Sequence, residues 1–238
     1  MVPVGRALAG SLIWLVALLA GLTAYPGLGV EAWVSGLGCG LLVAVAVGRG
    51  LTRDHDHLSP ADVVTLTRAT IACAVAALVV EAWLGHPVTA PLVGLAALAL
   101  VLDAVDGRVA RVTRRSTEFG ARFDGEADAF LLLVLSAHVA TSHGVWVLAI
   151  GAARYAFWAA GAAWPWLRAS LPRRDWRKVV TAVQGIVLVV AAGDVAPRPA
   201  ITLALVAALV LLTESFGRDV LWLVRHRPGA RLVGASAP

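Results

Sequence analysis

Four aspartates within one stretch, LDAVDGRVARVTRRSTEFGARFDGEAD, have the chemistry and the spacing to hold metal ions: Asp103, Asp106, Asp124 and Asp128. On a helix, Asp103, Asp106, Gly107 and Ala110 fall at i, i+3, i+4 and i+7, so two carboxylates share a stripe with two small residues. Gly120, Asp124 and Asp128 fall at i, i+4 and i+8 on the helix that follows. The basic connection between them is short, which makes the two helices antiparallel neighbours whose acidic stripes can face each other across a cleft.

Carboxylates inside a membrane helix are costly, at roughly 2.5 to 3.5 kcal/mol each on insertion scales, so four together demand compensating charge. Hard divalent cations provide it. Oxygen-only ligands with no His or Cys nearby favour Mg2+ or Mn2+ over Zn2+, and such ions complete their shells with phosphate and water. Two ions would balance four aspartates and leave positions open for a diphosphate. Gly107 and Ala110 then mark places where the backbone approaches a bulky ligand, and Arg111 can reach a phosphate oxygen with its planar fork. The plainer reading is that these are helix-end charges paired with nearby arginines. It accounts for any one aspartate, but it predicts neither the fixed spacing nor the small residues on the acidic stripe.

These residues need a membrane scaffold. The 238 residues are 59% hydrophobic and 15% charged, with a mean hydropathy of +0.81, far more apolar than a soluble core requires. Apolar runs predict eight helical spans at about 7–24, 30–48, 60–83, 89–112, 120–141, 145–164, 177–194 and 199–224. The fold class expected is an all-α polytopic bundle, since the alternating ten-residue pattern of a β-barrel is absent. The first run exceeds the roughly 7 to 15 residues of a signal-peptide core, so it is read as a retained span.

Positive charge is lopsided. Arg6, Arg49, Arg53, the arginines from Arg108 to Arg122, those from Arg168 to Lys178 and those after Arg218 fall on one set of connections; Arg198 stands alone on the other. Both termini and the loop at 113–119 are therefore expected in the cytoplasm, with the protein in the plasma or inner membrane. Arginines spread over short loops do not form a basic arm for nucleic acid, despite a net charge of +5. Most of the nine tryptophans lie near span ends, where an amphipathic ring prefers the headgroup layer. Cys39 and Cys73 lie inside apolar runs and read as packing residues. The RDHDH segment at 53–57 reads as a solvated loop rather than a metal site, and Glu214 with Arg218 as an i, i+4 ion pair. Arg68 and Arg154 lie within spans, where a charge is a functional candidate that could instead simply pair with an aspartate.

The aspartate stretch resembles the CDP-alcohol phosphatidyltransferase family. Asp103, Asp106, Gly107, Ala110, Arg111, Gly120, Asp124 and Asp128 match each fixed position of its signature, D-x2-D-G-x2-A-R-x8-G-x3-D-x3-D. The resemblance implies a six-helix core over about residues 60–225 with a cytoplasm-facing site, usually in a homodimer. It implies Asp103, Asp106 and Asp124 as metal ligands and Asp128 as ligand and general base. Gly107, Ala110, Arg111 and Gly120 would cradle the CDP portion. Residues 60–68 resemble the family pattern P-x-N-x-x-T-x-x-R, retaining Thr65 as a further CDP contact and Arg68, with Asp62 where asparagine is usual. RKVVTAVQ resembles the G-K-x-K-T-x-x-Q stretch of members that use polyol phosphates, retaining Lys178, Thr181 and Gln184 and departing at Arg177 and Val180.

The expectation is a metal-dependent transferase in phospholipid biosynthesis. An acceptor hydroxyl attacks the β-phosphorus of CDP-diacylglycerol, CMP leaves, and a polyol phosphate such as glycerol 3-phosphate or inositol phosphate is the acceptor. Arg68, Arg154, Arg173, Arg174 and Lys178 are candidates for the acceptor's phosphate. Serine, a phospholipid or a soluble CDP-alcohol are alternative substrates, and a non-catalytic transporter or scaffold is the alternative of another class. The domain reading is two N-terminal spans at 1–50, a connector at 51–59, the core at 60–225 and a basic tail at 226–238.

Overall fold

The computed structural model describes residues 2–25, 27–51, 57–113, 118–169 and 175–226; within its helices, the side chains of residues 51, 105–113, 118, 168 and 175 lie outside the description. Eight α-helices are described, at the places the apolar runs predict: α1 (Val4–Ala24), α2 (Val30–Leu51), α3 (Pro60–Trp83), α4 (Thr89–Thr113), α5 (Glu118–His143), α6 (Leu148–Ala163), α7 (Asp175–Ala192) and α8 (Arg198–Arg225). Single 3-10 turns at Val145–Val147 and Pro165–Arg168 flank α6. The protein is an all-α bundle.

Among the described residues, five helices are long and apolar enough to cross a bilayer on their own: α1, α2, α3, α6 with the turn before it, and α8. Thr89–Ala104 of α4 is a further, shorter apolar helical stretch among them.

Helix α3 is the axis of the bundle, packed by α1, α2, α4 and α5 and buried over most of its length. Its sequence permits this, because Ala69, Ala72, Cys73, Ala74, Ala76 and Ala77 let neighbouring backbones come close, which is what holds helices together where burial from water supplies no drive. A capping box starts it: the Ser59 N–H donates to Asp62 Oδ2 at 2.9 Å, the Asp62 N–H donates to Ser59 Oγ at 3.2 Å, and Pro60 occupies the first turn. It ends at Gly85, whose φ of +90° few other residues adopt.

The N-terminal hairpin is fastened to both ends of α3. At one end two-residue strands β1 (Val2–Pro3) and β2 (His57–Leu58) pair antiparallel, with Leu58 fully buried. His57, the last residue of the RDHDH segment, is exposed in that pair, and the rest of the segment lies outside the described residues. At the other end the Gly29 N–H donates to Glu81 Oε2 at 2.9 Å, and His86 Nδ1 meets Oε1 of the same buried carboxylate. Cys73 packs with Leu15, Leu19 and Ala32 in this seam, with Cys39 at its edge, and both cysteines are free thiols as read from the sequence.

The main core joins α3, α4, α5, α7 and α8 through residues such as Leu78, Leu92, Leu135, Leu188 and Leu205. Helix α6 lies directly on α5, where a Cβ at Gly151 would fall 2.5 Å from Leu133 Cα and 2.7 Å from the Leu132 carbonyl oxygen. The antiparallel succession brings the starts of α3, α5 and α7 and the ends of α4 and α8 to one end of the bundle. Arg198 sits at the other, where it donates to the Ser142 carbonyl.

Candidate active site

Three helices meet around one guanidinium. Arg68, two turns into α3, is only 3% exposed, and its Nη1 lies 2.9 Å from Asp103 Oδ1 on α4 and 2.6 Å from Asp124 Oδ1 on α5. Its Nη2 donates to Asp128 Oδ1, one turn further along α5. The spacing of Asp124 and Asp128 explains the arrangement, because i and i+4 present both carboxylates on the same face. Asp103 and Asp124 stay partly open, with side chains 38% and 42% exposed, and Asp128 is deeper at 21%.

One oxygen from each of Asp103, Asp124 and Asp128 lies within 4.8 Å of the others. Such a group of carboxylate oxygens, open on one side and without nitrogen or sulfur, fits a hard divalent cation that keeps water or phosphate in its shell. Asp106, Gly107, Ala110 and Arg111 continue α4 beyond Asp103, but their side chains lie outside the described residues. Gly120 is in the first turn of α5, one turn before Asp124. Thr65, one turn before Arg68, is buried and donates its hydroxyl to the Ala61 carbonyl at 3.2 Å.

Beside this cluster is a cavity of 180 Å³ between α5, α6, α7 and α8. Asp128 lines one wall; Arg154, Arg177, Thr181, Gln184 and Asp219 line the others. Arg154 lies across Gly125, where a Cβ would stand 3.0 Å from Nη2, and that nitrogen donates to Glu126 Oε1 at 2.8 Å. Arg177 Nη2 donates to Asp219 Oδ1 at 2.9 Å, and Nε lies 2.8 Å from Oδ2, so the two form a close ion pair joined by one hydrogen bond. Gln184 is fully buried; its Nε2 donates to the Ala208 carbonyl at 2.8 Å, while Oε1 has no hydrogen-bond partner among the described residues. A wider groove of 430 Å³, lined by Trp176, Arg218, Trp222 and Arg225, opens on the other side of the Arg177–Asp219 pair.

The sequence-predicted residues thus divide. Asp103, Asp124, Asp128, Arg68 and Thr65 come together at the start of α3 and α5, and Arg154 comes to the adjoining cavity. Lys178 is exposed on α7, near enough for its charge to bear on Asp103. Arg173 and Arg174 lie outside the described residues. Sequence reasoning did not single out Arg177 with Asp219, or Glu126. Asp219 did carry a signal, since its helical neighbours Ser215, Phe216, Trp222 and Leu223 offer no opposite charge and its partner had to come from another helix.

A polytopic helical membrane protein with clustered carboxylates at one end of its bundle is the class that fold and site define. The chain belongs to the CDP-alcohol phosphatidyltransferase family, whose pattern it matches over residues 58–214. It is therefore an integral membrane transferase acting between a CDP-alcohol and a hydroxyl acceptor. No curated protein and no solved structure matches the chain significantly.

Proposed function

We propose that this transferase moves the phosphatidyl group of CDP-diacylglycerol to a polyol phosphate, such as glycerol 3-phosphate or inositol phosphate, in phospholipid biosynthesis, with both termini and the site facing the cytoplasm. Asp103, Asp106, Asp124 and Asp128 hold Mg2+ or Mn2+ in this reading, two ions balancing four carboxylates. The ions, when bound, offset charge on the diphosphate and on the oxygen that leaves with CMP. Gly107, Ala110, Arg111, Gly120 and Thr65 receive the CDP portion.

The observation that carries the acceptor assignment is the 180 Å³ cavity, which has Asp128 on one wall and the arginines Arg154 and Arg177 on others. A polyol phosphate bound there would set its phosphate on guanidinium groups, whose planar donors suit it, and turn a hydroxyl toward Asp128. Asp128 accepts the proton of that hydroxyl as its oxygen bonds to the β-phosphorus, and the bond from phosphorus to the CMP oxygen breaks. Gln184 and Thr181, on the same lining, are placed to bond the polyol's other hydroxyls.

The test is CMP release by the purified protein in detergent with CDP-diacylglycerol, Mg2+ or Mn2+, and a panel of glycerol 3-phosphate, inositol 1-phosphate, inositol, serine and phosphatidylglycerol. CMP is expected with one polyol phosphate and absent with EDTA or in Asp128→Asn. Release with serine, phosphatidylglycerol or unphosphorylated inositol alone, or only from a soluble CDP-alcohol, would overturn the assignment of donor or acceptor.

A further inference from the structure

Among the described residues, Arg68 is held by carboxylates. Its two terminal nitrogens engage one oxygen of each of Asp103, Asp124 and Asp128, while its buried Nε has no hydrogen-bond partner among the described residues. The side-chain hydrogen bonds described for it all go to the acidic cluster.

The distances turn that into a conflict. Nη1 is 2.9 Å from Asp103 Oδ1 and 2.6 Å from Asp124 Oδ1. A Mg2+ or Mn2+ ion sits about 2.0–2.2 Å from its oxygen ligands, so an ion taking up these two oxygens would compete with that nitrogen for their lone pairs. It would also bring two like charges together in a site only partly screened by water. Guanidinium and ion are therefore alternatives at the same oxygens.

We propose that Arg68 is a positioning residue that competes with divalent cations for Asp103 and Asp124: it gathers the carboxylates from three helices and sets how tightly the cluster takes up metal. The proposal rests on the reading that these aspartates hold cations. Removing the guanidinium leaves the carboxylates short of positive charge, so the cluster becomes less stable without metal and more avid for it.

The experiment is a Mn2+ titration of the full chain in detergent, reading free Mn2+ by its paramagnetic resonance signal, with thermal midpoints measured in EDTA and in saturating Mn2+. Arg68→Met is expected to bind Mn2+ about tenfold more tightly than the unaltered protein, as loss of a competing charge in a partly screened site predicts. Its midpoint falls in EDTA and recovers with Mn2+. Arg68→Lys, whose single ammonium cannot engage three oxygens, gives an intermediate gain of about threefold. Should Arg68→Met fail to fold, Arg68→Lys decides alone. Unchanged or weaker Mn2+ affinity in the folded variants overturns the proposal, and a raised KM for the CDP-alcohol with unaltered Mn2+ binding would assign Arg68 to substrate phosphate instead. Asp103→Asn and Asp124→Asn separate the two readings: if both bind Mn2+ as the unaltered protein does, these aspartates are not the metal site, whatever Arg68 does.

Discussion

Arg68 Nη1 and Asp124 Oδ1 meet at 2.6 Å across 56 residues of sequence, and through them the start of α3 is tied to the start of α5. Asp128 repeats the tie one turn on, and Asp103 brings in α4. The cluster is thus carried by three helices rather than by loops, which fixes its oxygens more closely than a loop-borne site would.

The carboxylates themselves give the sharpest test of the proposed chemistry. Asp103→Asn, Asp106→Asn, Asp124→Asn and Asp128→Asn each keep the shape of the side chain and remove its charge, and each is expected to lower turnover by at least about a thousandfold, as loss of a principal electrostatic group does. Expression and elution from a sizing column should stay close to those of the unaltered protein. CMP release per folded molecule is the readout, and full activity in any of the four would remove that residue from the machinery.

Arg177 and Asp219 are a pair whose members cannot be removed singly without consequence. Arg177→Met leaves the Asp219 carboxylate, 10% exposed, without its partner, at a cost of about 1–3 kcal/mol for a partly buried group left unpaired. Arg177→Met with Asp219→Leu should regain most of that stability. Acceptor KM in this double variant should still rise about tenfold, because a charge-assisted contact to the acceptor phosphate is gone. Thermal midpoints and acceptor titrations check the two halves separately.

Gly151 sets the distance between α5 and α6. With a Cβ there 2.5 Å from Leu133 Cα, Gly151→Val is expected to force the helices apart and cost about 1–3 kcal/mol or more by overpacking. Gly94→Ala is the control, since a Cβ at Gly94 meets nothing within 4 Å. A midpoint unchanged in Gly151→Val would contradict the close approach.

Glu81 fastens the N-terminal hairpin far from the chemistry. Glu81→Ala leaves the Gly29 N–H without its acceptor, a loss of about 1–3 kcal/mol, whereas Glu81→Gln retains an oxygen in the same place and should lose less. Neither is expected to change CMP release per folded molecule, and a Glu81→Ala protein as stable as the original would show that the fastening contributes nothing.

What could be read from the sequence was what is local. Pro60 and Gly85 bound α3 through their own backbone preferences, and the apolar run between them gives its length. Asp124 and Asp128 share a face by spacing alone, and Glu214 pairs with Arg218 at i, i+4 as expected. What was not legible depends on helices meeting. Arg68 could be flagged as a charge in an apolar span, but its three partners lie on α4 and α5. The pairing of Arg154 with Glu126 was hidden for a similar reason, because Arg122, one turn before Glu126 on α5, is an equally good local candidate.

The fastening of α1 and α2 to both ends of α3 bears on how the chain enters the bilayer. Helix α3 carries Arg68, two turns from its start, and Glu81, near its end, on a mostly apolar run, and a charge within a span opposes insertion by up to about 2.5–3.5 kcal/mol at the span's centre. The hairpin is synthesised before α3 and offers, in the β1 strand and the Gly29 amide, ready partners for the segment that leaves the translocation machinery next. Counter-charge for Arg68 arrives only with Asp103, Asp124 and Asp128, later in translation. Order along the chain thus gives α3 its packing partners before it and the counter-charges of Arg68 after it.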